Sequence, residues 1–383
     1  MKVILEAQYA WSPNPRGLHH YAIQLIRKLL ERATYDYELT FFDYNRECGN
    51  YARIKQHFGE YNVPMHECNT LDYRAARSER DVFKEKSYND YTGACGDVFH
   101  FTHLITIPDN LKGKMVVTVH DMTVAKYPQL CPPQLVEWFA LGVKRLEDMQ
   151  PAVIAISKST KNDVLKYTAI PEEKIQVVHN GFTGNYFDER ISPAILKQMG
   201  INFPYLLYVG GIGGQKNVER IVKAFELAAD KIPDVKLIIA GKAEPVIGEA
   251  EVSRIKQNPY FGSRIIAPGY VTEEQKYALY AGAVCFVFPS LYEGFGLPVL
   301  EAMDCGCPVI TSDVSSLPEV AGNAAVLVDP YNIEQLAYEM ERVVNSESLR
   351  NELRQKGFEQ CKKFSWDKTA AATEEVYRAA VNS

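Results

Sequence analysis

Residues 284–310 read VCFVFPSLYEGFGLPVLEAMDCGCPVI. Val284 to Phe288 is an apolar run with the length of a buried strand, and it stops at Pro289-Ser290. Pro298 to Met303 has the composition of a helix, with proline where a helix can begin. Pro308-Val309-Ile310 opens another strand. Glu293, Gly294, Phe295, Gly296 and Leu297 lie in the loop before the helix. Strand, glycine loop, helix, strand is the repeating unit of a parallel α/β sheet, so this stretch sets the expectation for the fold.

The same rhythm continues on both sides. Pro204 to Val209, Lys236 to Ala240 and Ile265 to Gly269 read as strands, and Ala325 to Val328 as another. Helices are expected at Asn217 to Lys231, at Thr272 to Tyr280 and at Ile333 to Asn345. Thr272 with Gln275 three residues on is a capping box. A first series runs from Val3-Ile4-Leu5 through a helix at Gly17 to Glu31. Strands follow at Tyr37 to Asp43, Asp97 to Phe101, Lys114 to Val119, Ala152 to Ser157 and Ile175 to His179. Residues 50–92 are polar, tyrosine-rich and weakly periodic. The fold class expected is α/β, with two doubly wound Rossmann-like domains, residues 1–190 and 200–365. The helix at 366–383 is expected to pack back on the first. Ligands of such sheets bind beyond the carboxyl ends of the strands, here in a cleft between the domains.

Composition narrows the function. The chain has 383 residues, 46% hydrophobic and 23% charged, ordinary for a globular protein. Lys+Arg is 42 against Asp+Glu 48, a net charge of -6, which disfavours non-specific nucleic-acid binding. Residues 1–200 carry about 24 charges of each sign, so the acidity lies in the second half. No run of about 18 apolar residues occurs, so no spanning helix is expected. The 8 cysteines are scattered and read as free thiols, pointing to a cytoplasmic location. Only Cys305-Gly-Cys307 is close-spaced, and without a second ligand pair it makes no zinc site.

Four segments carry candidate chemistry. In the first, Gly296 allows close backbone approach, and the N–H groups near Gly296 to Val299 form an anion site at a helix N-terminus. Glu301 lies a turn into that helix. Glu293 and Glu301 beside an anion site suit sugar and ribose hydroxyls better than a bare phosphate; the plainer alternative is a solvated loop and an exposed helix face. In the second, VGGIGGQKN (209–217), glycines follow a strand and Lys216 is expected to open a helix, an arrangement that suits a diphosphate. It matches neither a P-loop nor a clean dinucleotide fingerprint. In the third, VTVHD (117–121), His120 leaves a buried strand; it is either structural or a cleft residue. In the fourth, Asn14-Pro15-Arg16-Gly17-Leu18 precedes the first helix as a further loop-to-helix contact.

These residues carry a resemblance. Glu293 and Glu301, separated by seven residues, with the second opening EAMDCGCPVI, look like the hallmark of the retaining glycosyltransferase family 4, whose fold is GT-B. GLHHYAIQLIRKLL, VTVHDMTVAKYP, AISKSTKNDVLKYTAIPEEKIQVVHNGF, GGIGGQKN and FSWDKTAAATEEVYRAA occur in the family's order. The pattern leans toward its mannosyl- and rhamnosyltransferase branch.

The resemblance implies transfer of a hexose, from GDP-mannose or a similar donor, to a glycan or lipid-linked acceptor in polysaccharide biosynthesis. It implies no cofactor and no metal. His120, Glu293 and Lys216 would act at the reacting sugar and diphosphate. Gly17, Gly211, Val271, Phe295, Gly296, Leu297 and Glu301 would line the donor. The family usually has arginine at about Gly211, and this chain departs from it there. Alternatives are another reaction on the same fold, such as an epimerase or phosphorylase, or a silent nucleotide-sugar binding protein. A weak peripheral membrane contact of the first domain is expected, through Arg27 and Lys28 beside the apolar stripe of Leu18–Leu30 and through residues 74–86.

Overall fold

The computed structural model describes residues 1–11, 17–42, 50–68, 70–71, 73–78, 82–184, 192–244, 246 and 248–382. It divides into two compact units, Met1–Gly181 with Ser365–Ser383, and Phe182–Phe364. Asn14, Pro15 and Arg16, residues 79–81 of the basic segment and 185–191 of the expected boundary lie outside the described residues.

The first unit holds a parallel sheet. Its strands are β1 Lys2–Glu6, β2 Asp36–Phe42, β3 Met65–Cys68, β4 Val98–Phe101, β5 Lys114–Val119, β6 Ala152–Ala155 and β7 Ile175–Val177. The order is β3-β2-β1-β4-β5-β6-β7, and each pair is parallel. The chain builds outward on one side of β1 and then on the other, so the topological switch lies between β1 and β4. The weakly periodic 50–92 segment contains elements that the sequence pattern concealed. These are the edge strand β3, helices Asn50–Phe58 and Tyr73–Ser78, and the short helix Tyr88–Thr92, capped by a Ser87–Asp90 box.

The Leu18–Arg32 helix buries Tyr21, Ala22, Ile23, Leu25, Ile26 and Leu29. Its apolar stripe is therefore spent within the protein. Phe83 is likewise fully buried, under the Arg145 guanidinium 5.5 Å from its ring centroid. Lys28 pairs with Glu31 at 2.7 Å. The closing helix Trp366–Asn382 packs on β4, β5 and β6. Glu374 accepts from Arg32 at 2.8 Å and from Tyr37 at 3.1 Å, and Gly181 lies so close to Trp366 that a Cβ there would come within 2.5 Å of the indole.

The second unit repeats the plan with β8 Tyr205–Val209, β9 Lys236–Ala240, β10 Ile265–Gly269, β11 Cys285–Phe288, β12 Val309–Ser312 and β13 Val326–Val328. The order is β10-β9-β8-β11-β12-β13, again parallel, with the switch between β8 and β11. Every residue of β11 and β12 is buried, as expected for strands covered on both faces. The described cysteines are all free.

Candidate functional site

The site is built at the switch of the second unit, where loops after β8 and β11 meet. After β8 the chain passes Gly210 to Gly213 and turns through the short 3₁₀ segment Gly214–Lys216. Asn217, at φ 64°, then starts the Val218–Ala228 helix. Lys216 is thus the end of a 3₁₀ turn and does not open the α-helix, a correction to the sequence expectation. Asn217 locks this turn in place: its Nδ2 donates to the carbonyls of Pro289 (2.9 Å) and Pro330 (2.8 Å). The Leu291 N–H donates to Gln215 O at 2.8 Å, joining the two loops. Lys216 Nζ is thereby held 2.8 Å from Glu293 Oε1, with both side chains half-buried.

The Glu293 loop is clamped from the end of β12. Ser315 Oγ and Ser316 Oγ both donate to Glu293 O, at 2.6 and 2.9 Å. Ser316 Oγ also lies 2.6 Å from Phe295 O, and the Glu293 N–H donates to Ser315 Oγ at 3.0 Å. Gly296 caps the Leu297–Asp304 helix at φ 115°, a conformation open to glycine. Pro298 is the second helical residue and has no N–H. Val299 donates to Gly296 O at 3.0 Å. The anion site expected over Gly296 to Val299 therefore narrows to two groups. The N–H groups of Gly296 and Leu297 meet no protein acceptor among the described residues.

Glu301 lies one turn into the helix, as expected. Lys276 Nζ donates to its Oε1 at 3.0 Å, and Tyr280 OH lies 3.4 Å from its Oε2. Lys276 also meets Glu273 at 2.9 Å. Burial opposes the Lys276 charge, but Glu301 and Glu273 outweigh it and raise its pKa. Tyr208, buried, donates from its hydroxyl to Gly211 O. Burial, with Glu293, Glu251 and Glu244 adding charge, pushes its phenol well above the usual range. Val271 is buried just beyond β10, beside exposed Tyr270, whose ring carries Lys242 at 4.7 Å.

Lys216, Gly211, Val271, Glu293, Phe295, Gly296, Leu297 and Glu301 all belong to the second unit; His120 and Gly17 belong to the first. Gly17, at φ 48°, caps the Leu18–Arg32 helix without a side-chain bond. His120 follows β5 directly. Its Nε2–H donates to Thr102 O at 2.8 Å, and Tyr21 meets it edge-on at 4.6 Å. Burial lowers its pKa to about 4, so the imidazole is neutral near pH 7. Sequence reasoning missed Lys276, Asn217, Tyr280, Ser315 and Ser316. The two serines follow β12, so inspection of every strand's carboxyl end would have found them. Among the described residues no group of three or more His, Cys, Asp or Glu could hold a metal ion. No helix among them is long and apolar enough to cross a membrane.

Residues 15–183 match the family model described as Glycosyltransferase Family 4, and residues 193–360 match Glycosyl transferases group 1. The chain is 28% identical over 315 residues to the O-antigen chain mannosyltransferase B of Escherichia coli, covering 80% of this chain and 79% of that protein. It is 30% identical over 278 residues to the serotype-specific mannosyltransferase WbdA of Escherichia coli, covering 70% of this chain. The match spans 34% of WbdA's length. Among solved structures, Anabaena Alr3699/HepE in complex with UDP and glucose superposes with a TM-score of 0.74 at 16% identity. That match covers 99% of this chain and 100% of the Anabaena chain, and it establishes a shared fold.

Proposed function

The chain belongs to glycosyltransferase family 4, with the GT-B fold, and from that premise we propose that it moves a hexose from a nucleoside-diphosphate sugar, GDP-mannose or a close analogue, to a growing glycan or lipid-linked oligosaccharide in polysaccharide biosynthesis. The anomeric configuration is retained. The observation that carries this reading is the Lys216–Glu293 pair, 2.8 Å apart at the switch of the second unit beside the Gly296 helix start. A cation there answers the charge that develops on a leaving diphosphate. A carboxylate there grips the hydroxyls of the departing sugar. The names of the mannosyltransferase relatives support the choice of donor sugar.

Each group has a role in that reaction. Gly211 and the neighbouring glycines let the backbone approach the diphosphate. The N–H groups of Gly296 and Leu297 supplement Lys216, and Phe295 shapes the sugar pocket with them. Glu301, held by Lys276 and Tyr280, receives the ribose diol. Val271 packs on the ribose and base. His120, neutral, accepts or donates a hydrogen bond to the sugar from the first unit, and Gly17 offers backbone to the phosphate. The leaving phosphate takes the acceptor's proton, so no side-chain base is required. No cofactor takes part, and turnover in EDTA should match turnover without it.

A screen of GDP-, UDP- and dTDP-sugars by thermal shift and by transfer to a glycan acceptor tests the reading. A donor at a hundredfold excess over its Kd stabilises by about 2.7 kcal/mol, so the correct one stands out. Failure of every donor both to bind and to transfer would overturn it. A peripheral contact of the first unit with anionic lipid belongs to the same proposal. With the apolar faces internal it rests on lysine and arginine charge alone, at about 1 kcal/mol per residue near the surface. Flotation with anionic but not neutral vesicles, reversed by salt, is the expected result; equal flotation would remove it.

A further inference from the structure

Lys216 ends the 3₁₀ segment Gly214–Lys216, and the helix after it starts without a cap of its own. Asn217 stands at the N-cap of the Val218–Ala228 helix but makes no capping bond from its side chain. Its Nδ2 is spent on the carbonyls of Pro289 and Pro330, and its Oδ1 accepts from Arg220 Nη1 at 2.8 Å. A helix start leaves its first N–H groups without intrahelical partners, so an acceptor has to come from elsewhere. It comes from the helix Gly248–Lys256. Glu251 on that helix, 4% exposed, accepts the Glu219 N–H on Oε1 at 3.1 Å and also bonds the Gly214 N–H. The two donors, at 214 and 219, flank Lys216 along the chain.

The helix Gly248–Lys256 buries Gly248, Glu251 and Ile255, one face at helical spacing, where packing alone calls for an apolar side chain at 251. A carboxylate in that place is costly unless donors meet it. Burial raises the pKa of Glu251 and the charge of Glu219 adds to the rise, whereas the two N–H groups and Arg254 favour the ionised form. The helix is itself seated on the glycine loop. The Ile212 N–H donates to Lys242 O and the Glu244 N–H to Ile212 O, both at 2.8 Å, and a Cβ on Gly248 would lie 2.3 Å from Ile212 O. The Lys216 turn is therefore gripped twice. Gln215 and Asn217 tie it to the chain beyond β11, and Glu251 ties it to the helix that follows β9.

We propose that Glu251 is the positioning residue for Lys216: by taking the N–H groups at 214 and 219 it fixes the backbone on both sides of the lysine and so sets where its Nζ stands. The inference rests on the transfer reading, in which Lys216 meets the donor diphosphate. It adds a division of labour. A glycine turn followed by a helix N-terminus makes an anion site, and here the chain's own carboxylate fills it. The diphosphate is then held by the lysine side chain and not by these two N–H groups.

Calorimetric titration with GDP, GMP, UDP and UMP tests it, because the preference for diphosphate over monophosphate reports the lysine and the shared nucleoside does not. Lys216→Met should cut that preference roughly tenfold or more, as the loss of a charged hydrogen bond does. Glu251→Ala should cut it nearly as far while leaving monophosphate affinity unchanged, and the double variant should lose no more than Lys216→Met alone. Glu251→Gln keeps one acceptor oxygen and should recover part of the preference. Thermal unfolding reports whether each variant is folded. Glu251→Asp, which withdraws the carboxylate by one methylene, reads the same quantity if Glu251→Ala does not fold. A folded Glu251→Ala or Glu251→Asp with the wild-type preference, including one that weakens mono- and diphosphate equally, would overturn the inference and leave the transfer reading standing. An unchanged preference in Lys216→Met would remove the lysine from the diphosphate, overturning that part of the transfer reading and the inference with it.

Discussion

The carboxylate of Glu244 occupies the space that a side chain at Gly211 would enter: a Cβ on Gly211 would lie 1.8 Å from Glu244 Oε1. The glycine at this position is thus matched by an acid packed over the loop. The obstruction is the far end of a flexible side chain. Gly241 differs, because a Cβ there would lie 1.7 Å from the carbonyl oxygen of Gly210, which is backbone. Gly211→Ala should therefore cost less than about 1 kcal/mol as Glu244 swings away, and Gly241→Ala about 1–3 kcal/mol or more. Urea denaturation of the two variants checks the contrast; equal losses would show that Glu244 is not free to move.

Glu293→Gln removes the charge from a hydrogen-bonded pair with Lys216 and, under the proposed function, from the grip on the reacting sugar. Charged hydrogen bonds contribute about 1.5–3 kcal/mol, so kcat should fall at least tenfold. The serine clamp on the Glu293 backbone keeps the loop in place, and stability should change little. Steady-state kinetics with the native donor settle the point: wild-type turnover would remove Glu293 from the reaction.

Under the proposed function the Lys276–Glu301 pair acts as one unit on the nucleoside. Lys276→Met leaves Glu301 with Tyr280 as partner, and its freed carboxylate can turn from the ribose. Nucleoside-diphosphate affinity should fall several-fold in Lys276→Met and in Glu301→Ala, with a coupling of about 0.5–3 kcal/mol in the double variant. Calorimetric titration of the four proteins measures it. Additive losses would mean that Lys276 does not position Glu301.

Acid should destabilise the first unit before it affects most surface groups. His100, buried between Tyr377 and Thr118, has its pKa lowered from 6.5 to about 3, by burial and then by the charge on His120. His103 and His120 are lowered for the same first reason. A lowered pKa means that the unfolded chain binds the proton first, so this stability is present above pH 6.5 and is lost as pH falls toward 4. Glu6 acts with the opposite sign: burial raises it from 4.5 to about 7, so its contribution declines as pH rises across that interval. Three groups oppose one, and the net slope is on the order of 1–3 kcal/mol per pH unit. Urea midpoints at pH 7, 6 and 5 should fall in that order, and a flat series would contradict the neutral, buried imidazoles.

Much of this protein was legible in its sequence because the signals are local. Apolar runs such as VCFVF and KLIIA become strands buried on both faces, and a capping box, Thr272 with Gln275, starts its helix where it was expected. Glycines and prolines after strands marked the loops that carry Glu293 and Lys216. Tertiary structure alone decided which side chains meet. Lys216 and Glu293 are 77 residues apart and come together because β8 and β11 are neighbours in the sheet. Lys276 reaches Glu301 across two helices, and Ser315 and Ser316 hold the Glu293 loop from the end of another strand. Polar segment 50–92 concealed β3 because an edge strand needs little apolar pattern of its own once β2 supplies the hydrogen-bonded partner. Periodicity records which face of an element is buried, whereas the partner across the interface depends on strand order, which no short stretch of the chain encodes.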